Sequence, residues 1–481
     1  MKKITFTVAL LFTLRLLMAQ APDTLWTKTY GGLNYDICND MQLTSDGGYI
    51  LAGVTLSYGA GSNDFYLVKT DANGDTLWTR TYGSSITETA YSVFQTSDGG
   101  YVVAGKVLSS GPGSSEVFIV KTDSLGDTLW TRTVGGFELD EANSVIQTDG
   151  DDYYIILGST KSYGPGSASV YFIEISPAAD TIWEDYFGGP GNDYGYEVIE
   201  TNNGYVFIAK SASFGAGSYD AWIVRTDWDY NIIWTTTIGG TTGDEGYTLQ
   251  QTANGGFIGG GRTSSFGPGN ESFLIFHLNS SGDSLWAKAY GGTDRDECHS
   301  IQQTADGGYI AAGVSKSFGA GNYDFYIVRT DANGDSLWTK TLGGTGDDEC
   351  RAIKQTPDGG YIIAGSTESF GMGQTDFWLI KLAPDPANIN EIKTRQNFSL
   401  HQNYPNPFIG KTFIKFELKK SAFTNLDVYN VLGEKLFTLL EKSCSPGSYE
   451  LEFNANGSPP GMYYYTLTVD GIPLTKKMLV H

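Results

Sequence analysis

Tyr290 to Trp338 reads YGGTDRDECHSIQQTADGGYIAAGVSKSFGAGNYDFYIVRTDANGDSLW, and its glycines divide it into four β-favouring runs of five to nine residues. Four short strands in a unit of this length make one blade of a propeller. The unit recurs, because Trp26, Trp78, Trp130, Trp183, Trp234, Trp286 and Trp338 stand 52, 52, 53, 51, 52 and 52 residues apart. With 62 glycines, 14% aromatic residues and no long amphipathic helical pattern, the chain reads as all-β. The expected fold is a seven-bladed β-propeller of four-stranded blades about 52 residues long, followed by a small C-terminal β-sandwich.

Within the unit, strand A ends at Gln303-Thr304, and Asp306-Gly307 signals a hairpin of type I′, as do Asp46-Gly47, Asp98-Gly99 and Asp358-Gly359. Strand B, seen at Tyr309 to Gly313 and Tyr101 to Gly105, is continuously apolar or small, as a strand covered on both faces must be. Strand C, Asp324 to Thr330, leads through Asp331-Ala332-Asn333-Gly334-Asp335 into strand D, whose Trp338 is expected to fill the gap between blades. The seventh unit stops after strand C at Phe377 to Leu382 and runs into Ala383-Pro384-Asp385-Pro386. Asp23 to Tyr30, DTLWTKTY, is an orphan D strand that can complete that blade and close the ring. A solenoid is the structural alternative, but it would show polar capping repeats at each end.

The regions outside the repeat differ in character. Met1-Lys2-Lys3, the apolar run Ile4 to Met18 and Ala19-Gln20-Ala21 read as a signal peptide over 1–21, with the mature chain starting at Gln20 or Pro22. The propeller is expected over 22–383, with blade seven completed by 23–30, and the polar, proline-bearing stretch 384–396 is expected to be a linker. Over 397–481 the runs Thr412 to Leu418, Asn425 to Tyr429 and Tyr463 to Val469 alternate between Gly, Pro and Asn turns, as a small sandwich requires.

In this tail Asn403-Tyr404-Pro405-Asn406-Pro407-Phe408, Phe413 to Leu418, Leu426 to Tyr429, Gly433, Gly461-Met462-Tyr463-Tyr464 and the basic pair Lys476-Lys477 follow one another in order. The pattern resembles the type A C-terminal sorting domain of the type IX secretion system. That resemblance implies export across the outer membrane of a Bacteroidetes-type bacterium, a secreted or surface-attached location, an Ig-like tail and the type IX machinery as partner. The repeated turn and Trp strand, as in Thr70-Asp71-Ala72-Asn73-Gly74-Asp75-Thr76-Leu77-Trp78, resembles the tryptophan motif of quinoprotein-like propellers and more loosely the Asp-box of sialidases. The first differs by one residue in its Asp-to-Gly spacing, and the likeness concerns blade structure.

Charge narrows the partners. Residues 22–386 carry 18 Lys or Arg against 46 acids, a balance of −28, whereas the tail is close to neutral. Such a field repels nucleic acid and anionic membrane surfaces, and beyond the N-terminal run no stretch is long enough to span a membrane. Cys38, Cys298, Cys350 and Cys444 are too few for a disulfide-built scaffold.

Each repeat carries an acid four residues after its opening glycine pair or the equivalent: Asp36, Glu88, Asp140, Asp193, Asp244, Asp296 and Asp348. Two readings stand. The acids could ring the channel mouth and bind a hard cation such as calcium, the one cofactor the sequence suggests. Alternatively each caps the turn into strand A by accepting backbone N–H bonds, the commoner role of a short acid there. Two residues further on stand Cys38, Ala90, Ala142, Gly195, Gly246, Cys298 and Cys350, all small, so that the three cysteines should cluster on consecutive blades. Buried free thiols are the expected state, with a soft-metal site or a disulfide as alternatives.

The Asp71 to Asp75 and Asp331 to Asp335 loops lack the later ligands of a calcium loop. Gly59-Ala60-Gly61, Gly215-Ala216-Gly217 and Gly319-Ala320-Gly321 precede strands, so no helix N-terminus is there to cradle phosphate. The four histidines, His277, His299, His401 and His481, yield no catalytic triad or metal-spaced set. No catalytic residue is therefore assigned. The sequence favours a non-enzymatic binding or scaffold protein, offering Tyr58, Phe214 and Phe318 of the loops between strands B and C to a glycan or protein. An enzyme acting on polysaccharide, or a quinoprotein-like oxidoreductase, is the alternative, and a non-repeating acid pair or cofactor pocket would distinguish it.

Overall fold

The structure is a computed structural model that describes residues 20–108, 115–386, 398–430, 435–455, 457, 459–469 and 472–480. Most of the expected signal peptide and linker lies outside the described residues. Contacts divide the chain into two compact units that meet between Pro386 and Ala387.

The first unit holds seven four-stranded antiparallel sheets, the blades of a β-propeller. In blade 1 strand A is Asp36–Leu43, B is Tyr49–Thr55, C is Asp64–Thr70 and D is Thr76–Tyr82. Strands B and C are buried along their whole length, whereas strand D exposes alternate residues to solvent. The last sheet takes strands A to C from Asp348–Gln355, Tyr361–Thr367 and Asp376–Leu382, and its outer strand from Thr24–Tyr30. Thr29 pairs with Trp378 and Tyr30 with Phe377 across that edge. This sheet then meets blade 1. Tyr35 bridges to Thr375, Cys38 N–H donates to Ser366 Oγ at 2.9 Å, and Tyr30, Met41 and Leu51 share a core with Ile362, Phe377 and Leu379.

The tryptophans sit in the seams, but at their outer rim. Trp78, Trp286 and Trp338 lie against the aromatic that opens strand B of the next blade, Tyr101, Tyr309 and Tyr361, with ring centroids 5.8, 5.9 and 6.0 Å apart. Trp338 alone is fully buried, and the other six are partly exposed. The deeper seam is filled from strands B and C, because those are covered on both faces. A tyrosine at the end of strand D pins three of the seams: Tyr30, Tyr82 and Tyr290 donate to the carbonyls of Gly74, Gly126 and Gly334 in the next blade's C–D turn, the first two at 2.6 Å. Gly74 adopts a φ of +77°, and a methyl there would lie 2.8 Å from the Trp26 ring. The glycine of this turn is thus required by conformation and by space.

The Asp-Gly A–B turns at 46–47, 98–99, 306–307 and 358–359 differ from the expected type I′. Only the glycine has positive φ, 84° at Gly47, and Thr44 N–H reaches Gly48 O at 3.0 Å. This is a three-residue loop, a type I turn closed by a left-handed glycine. Asp46 Oδ1 accepts Gly48 N–H at 3.0 Å and Lys69 grips the same carboxylate at 2.8 Å, which holds the aspartate in the right-handed region.

The second unit is a sandwich. Phe398–Leu400, Lys411–Leu418 and Gly447–Asn454 form a three-stranded sheet, and Ala422–Tyr429, Lys435–Cys444, Gly461–Val469 and Ile472–Val480 a four-stranded one. Strict alternation along Lys411–Leu418 buries Ile414, Phe416 and Leu418 against Leu426, Val428, Tyr465 and Leu467. Asn403, at the head of the Asn-Tyr-Pro motif, is a structural pin. Its N–H donates to Tyr465 Oη at 2.7 Å and its amide nitrogen to Thr412 Oγ1 at 2.9 Å.

Deleting residues 22–30 removes the outer strand of the last blade. The expected result is a fall in melting temperature of more than about 10 °C, since a whole strand and its seam contacts are lost. Differential scanning calorimetry of the truncated chain checks it, and an unchanged midpoint contradicts closure by this strand.

Candidate ligand channel

Strand A lines the axis of the ring, and its first residue is the repeated acid. Asp36, Asp140, Asp193, Asp244, Asp296 and Asp348 are fully buried and Glu88 is 2% exposed. Asp36 Oδ2 accepts Gly32 N–H and Ser57 Oγ–H, both at 2.7 Å, and Thr55 Oγ1 donates to Oδ1. Asp193 repeats this with Gly189 at 2.8 Å, Ser213 at 2.6 Å and Ser211. Asp348 does so with Gly344 and Ser369 at 2.7 Å and Thr367. In Asp140, Asp244 and Asp296 the Oδ2 atom takes the same glycine and serine donors. The longer Glu88 reaches only Ser84, through its N–H at 3.1 Å and its hydroxyl at 2.9 Å. These contacts are those of a turn cap, tying the D–A loop to the B–C loop. Among the described residues no group of three or more His, Cys, Asp or Glu side chains is placed to hold a metal ion.

The next feature of strand A is absent from a period-two reading. Every blade has a β-bulge between the second and fourth residues after the acid, first seen between Cys38 and Asp40. The extra residues are Asn39, Tyr91, Asn143, Tyr196, Tyr247, His299 and Arg351. Together with Glu297 they line one cavity of about 380 Å³ in the channel. A bulge re-aims a side chain, and here seven do so toward one axis. In the aligned repeats this position changes in chemistry from blade to blade directly after a residue that is small in every blade. That variation is the readable signal of the channel wall.

Part of this ring is used to hold the blades together. Asn39 and Asn143 donate to Ala90 O and Gly195 O of the following blade at 2.7 and 2.8 Å, and His299 Nδ1 lies 2.9 Å from Cys350 O. The residue after the bulge does likewise. Asp40, Ser92, Ser144, Glu197 and Ser300 accept the N–H of Val93, Val145, Val198, Leu249 and Ile353 at 2.7–3.3 Å. Tyr91, Tyr196, Tyr247 and Arg351 are left to face the cavity.

The charges around it do not repeat. Glu297 is buried, which alone would raise its carboxyl, but hydrogen bonds and charge from His299 at 3.1 Å and from Arg295 hold it at about 2. Tyr247 donates to Glu245 at 2.6 Å, and Arg262 reaches the same carboxylate at 2.7 Å. Arg351 pairs with Glu349 at 2.5 Å, and Lys106 and Lys210 pair with Glu141 and Glu245 at 2.9 and 3.4 Å. At a second level of the channel Asp40 and Glu197 share a cavity wall with Lys354. Burial pushes both carboxyls up, while the neighbouring amides and the Lys354 charge pull them down.

The small position before the bulge is crowded. Cys38, Cys298 and Cys350 are buried free thiols there, and burial pushes the Cys350 thiol up. A methyl on Gly246 would lie 2.5 Å from Ile208 Cδ1. Toward solvent, Tyr58, Phe214 and Phe318 of the B–C loops are 40–47% exposed. Each leans on a strand C aromatic, Tyr66, Trp222 or Tyr326, leaving one face open.

Replacing Asp193 by Ala strands one buried donor, Ser211 Oγ–H, and two part-buried ones, Gly189 N–H and Ser213 Oγ–H, so urea denaturation of Asp193→Ala is expected to show a loss of about 2–4 kcal/mol. A change under about 0.5 kcal/mol contradicts the capping role.

Residues 402–481 match the family described as a secretion system C-terminal sorting domain, and residues 44–76 match a β-propeller domain of unknown function, DUF5122. The regulatory protein FlaEY of Caulobacter vibrioides is 30% identical over 120 residues, covering 22% of this chain and 12% of FlaEY's length. Among solved structures, a fungal alcohol oxidase of the AA5 family in complex with copper aligns at a TM-score of 0.44 and 11% identity, over 96% of this chain and 100% of that one. The β-propeller domain of the Trilobed protease from Pyrococcus furiosus aligns at 0.41 and 11%, over 76% and 100%. Likeness at this level says nothing of chemistry. No helix among the described residues is long and apolar enough to cross a membrane. This chain is a secreted or cell-surface-attached repeat β-propeller protein that carries a type IX sorting domain at 402–481.

Proposed function

We propose that the propeller is a binding protein, delivered to the cell exterior by its sorting domain, whose channel takes the end of a glycan. The observation that carries this reading is the bulge ring, seven residues of four different types on seven otherwise similar blades around one cavity. Tyr91, Tyr196 and Tyr247 offer ring faces for the apolar side of a sugar, with Tyr196 and Tyr247 set edge to face at 5.0 Å. Arg351 and Glu297 supply donors and acceptors for hydroxyls, and a cavity of about 380 Å³ lies in the range of small-ligand sites. The half-exposed aromatics Tyr58, Phe214 and Phe318 offer further faces for a longer chain. The sorting domain engages the type IX machinery.

Asp40 and Glu197 favour a second reading. They are non-repeating acids in the channel whose carboxyls burial pushes up, as a general acid needs. Both, however, already accept a backbone N–H from the next blade.

A glycan array with the full chain, paired with an assay for released sugar, separates the two readings. Retention without product is expected, weakened at least about tenfold by Tyr247→Ala or Arg351→Ala. Product formation lost in Asp40→Asn or Glu197→Gln favours the enzyme, and binding unaffected by either cavity substitution removes the channel from consideration.

A further inference from the structure

The residue that opens strand C faces the head of strand A in the next blade, and it is not the same around the ring. It is Asp64, Asp220, Asp324 and Asp376 in four blades and Ser115, Ser169 and Ser272 in three. Each of the four aspartates therefore meets a second buried acid. A methyl built on Gly31 would lie 1.9 Å from Asp376 Oδ1 and 2.7 Å from Asp36 Oδ2. The same test gives 2.2 and 2.8 Å to Asp64 and Glu88 at Gly83, 1.9 and 2.9 Å to Asp220 and Asp244 at Gly239, and 1.9 and 2.8 Å to Asp324 and Asp348 at Gly343. Two carboxyl oxygens thus face one glycine at four junctions. At the three serine junctions the corresponding glycines, Gly135, Gly188 and Gly291, have φ of 151°, 148° and 114°, and only one acid meets them.

All eight carboxyls are at most 2% exposed. The strand C aspartates spend Oδ2 on backbone N–H groups, as from Ala60 at 3.1 Å, Gly217 at 2.9 Å, Gly321 at 3.0 Å and Met372 at 2.8 Å. Glu88 Oε2 is buried without a partner. The charged groups acting most on Glu88, Asp220, Asp324 and Asp376 are acids: the opposing carboxyl in each case, and Asp347 as well beside Asp324. Tyr58 and Tyr66 feel Asp36 and Asp376 from the B–C loop and strand C.

We propose that each of these four junctions holds one proton between its two carboxyls, making the ring a proton-linked clamp that is tightest in mild acid. Two like charges in a buried site cannot both ionise at ordinary cost. One proton, taken from solvent, turns the repulsion into a hydrogen bond from a carboxylic acid to a carboxylate. Burial, with the opposing acid adding to it, raises the carboxyls of Glu88, Asp220, Asp324 and Asp376. The folded state then binds protons more tightly than the unfolded chain. Its contribution to stability is present below the ordinary carboxylate range and is lost as pH rises through the raised values. Asp46 and Asp358, held at about 2 by hydrogen bonds to Lys69 and Lys381 that outweigh their burial, act in the opposite direction. The clamp is therefore read as a difference between variants.

The test is the melting temperature of the full chain from pH 4 to pH 8, alone and with Asp64→Asn, Asp220→Asn, Asp324→Asn and Asp376→Asn combined. Each asparagine puts a permanent donor where the proton would sit. Near-equal midpoints at pH 4 and a variant that melts higher by about 2–4 °C or more at pH 8 are expected. Asp376→Asn alone should show a smaller difference of the same sign, which preserves the test if the combined variant does not fold. An offset that is constant with pH, or a variant that melts lower throughout, overturns the clamp. A calcium-dependent rise in the wild-type midpoint at pH 7.5 that the asparagines abolish also overturns it, because the pairs would then hold a metal ion.

Discussion

The bulge in strand A is the constraint on which the ring depends. Seven strands crowd around one axis, so the residue before each bulge must be small: Cys38, Ala90, Ala142, Gly195, Gly246, Cys298 and Cys350. The inserted residue turns its side chain into the channel and leaves backbone groups without ladder partners. Side chains from the preceding blade meet them, as Asp40 does for Val93 and Asn143 for Gly195. Each such bond contributes about 1 kcal/mol when made, and leaving the group bare costs more. One device thus sets blade spacing, joins neighbours and builds the channel wall.

The proposed ligand site is what that device leaves over. Where the inserted residue is Asn or His it is largely consumed in holding the next blade. Where it is Tyr91, Tyr196, Tyr247 or Arg351 the side chain faces the cavity. The acids at the head of strand A belong to the other side of the same division. They are buried under their own loops and fasten the D–A and B–C turns that frame the mouth. A ring of otherwise similar blades can in this way carry an asymmetric site without any long insertion.

The blades were legible because tryptophan spacing, Asp-Gly turns and apolar B strands are local signals that repeat. The sorting tail was legible from Asn403 to Phe408 and the aromatic strand at Gly461, which the sandwich uses to pin its sheets. The channel was not, for a physical reason. Alternation assumes an unbroken pleat, and a bulge shifts the side chains beyond it by one, so Asn39 and Arg351 read as ordinary strand residues. Its position is fixed by crowding at the axis, a property of seven strands together. The turn type failed similarly, since Asp46 answers to Lys69 across the blade as well as to Gly47 beside it.

Hydrogen exchange of the amides that follow the bulges tests the inter-blade bonding most directly. Val93, Val145, Val198, Leu249 and Ile353 should exchange as slowly as the amides of strand B, and Asp40→Ala should speed Val93 while leaving Leu249, whose acceptor is Glu197, unchanged. Exchange of these amides at loop rates in the wild type, or a Val93 amide indifferent to Asp40→Ala, would contradict the account.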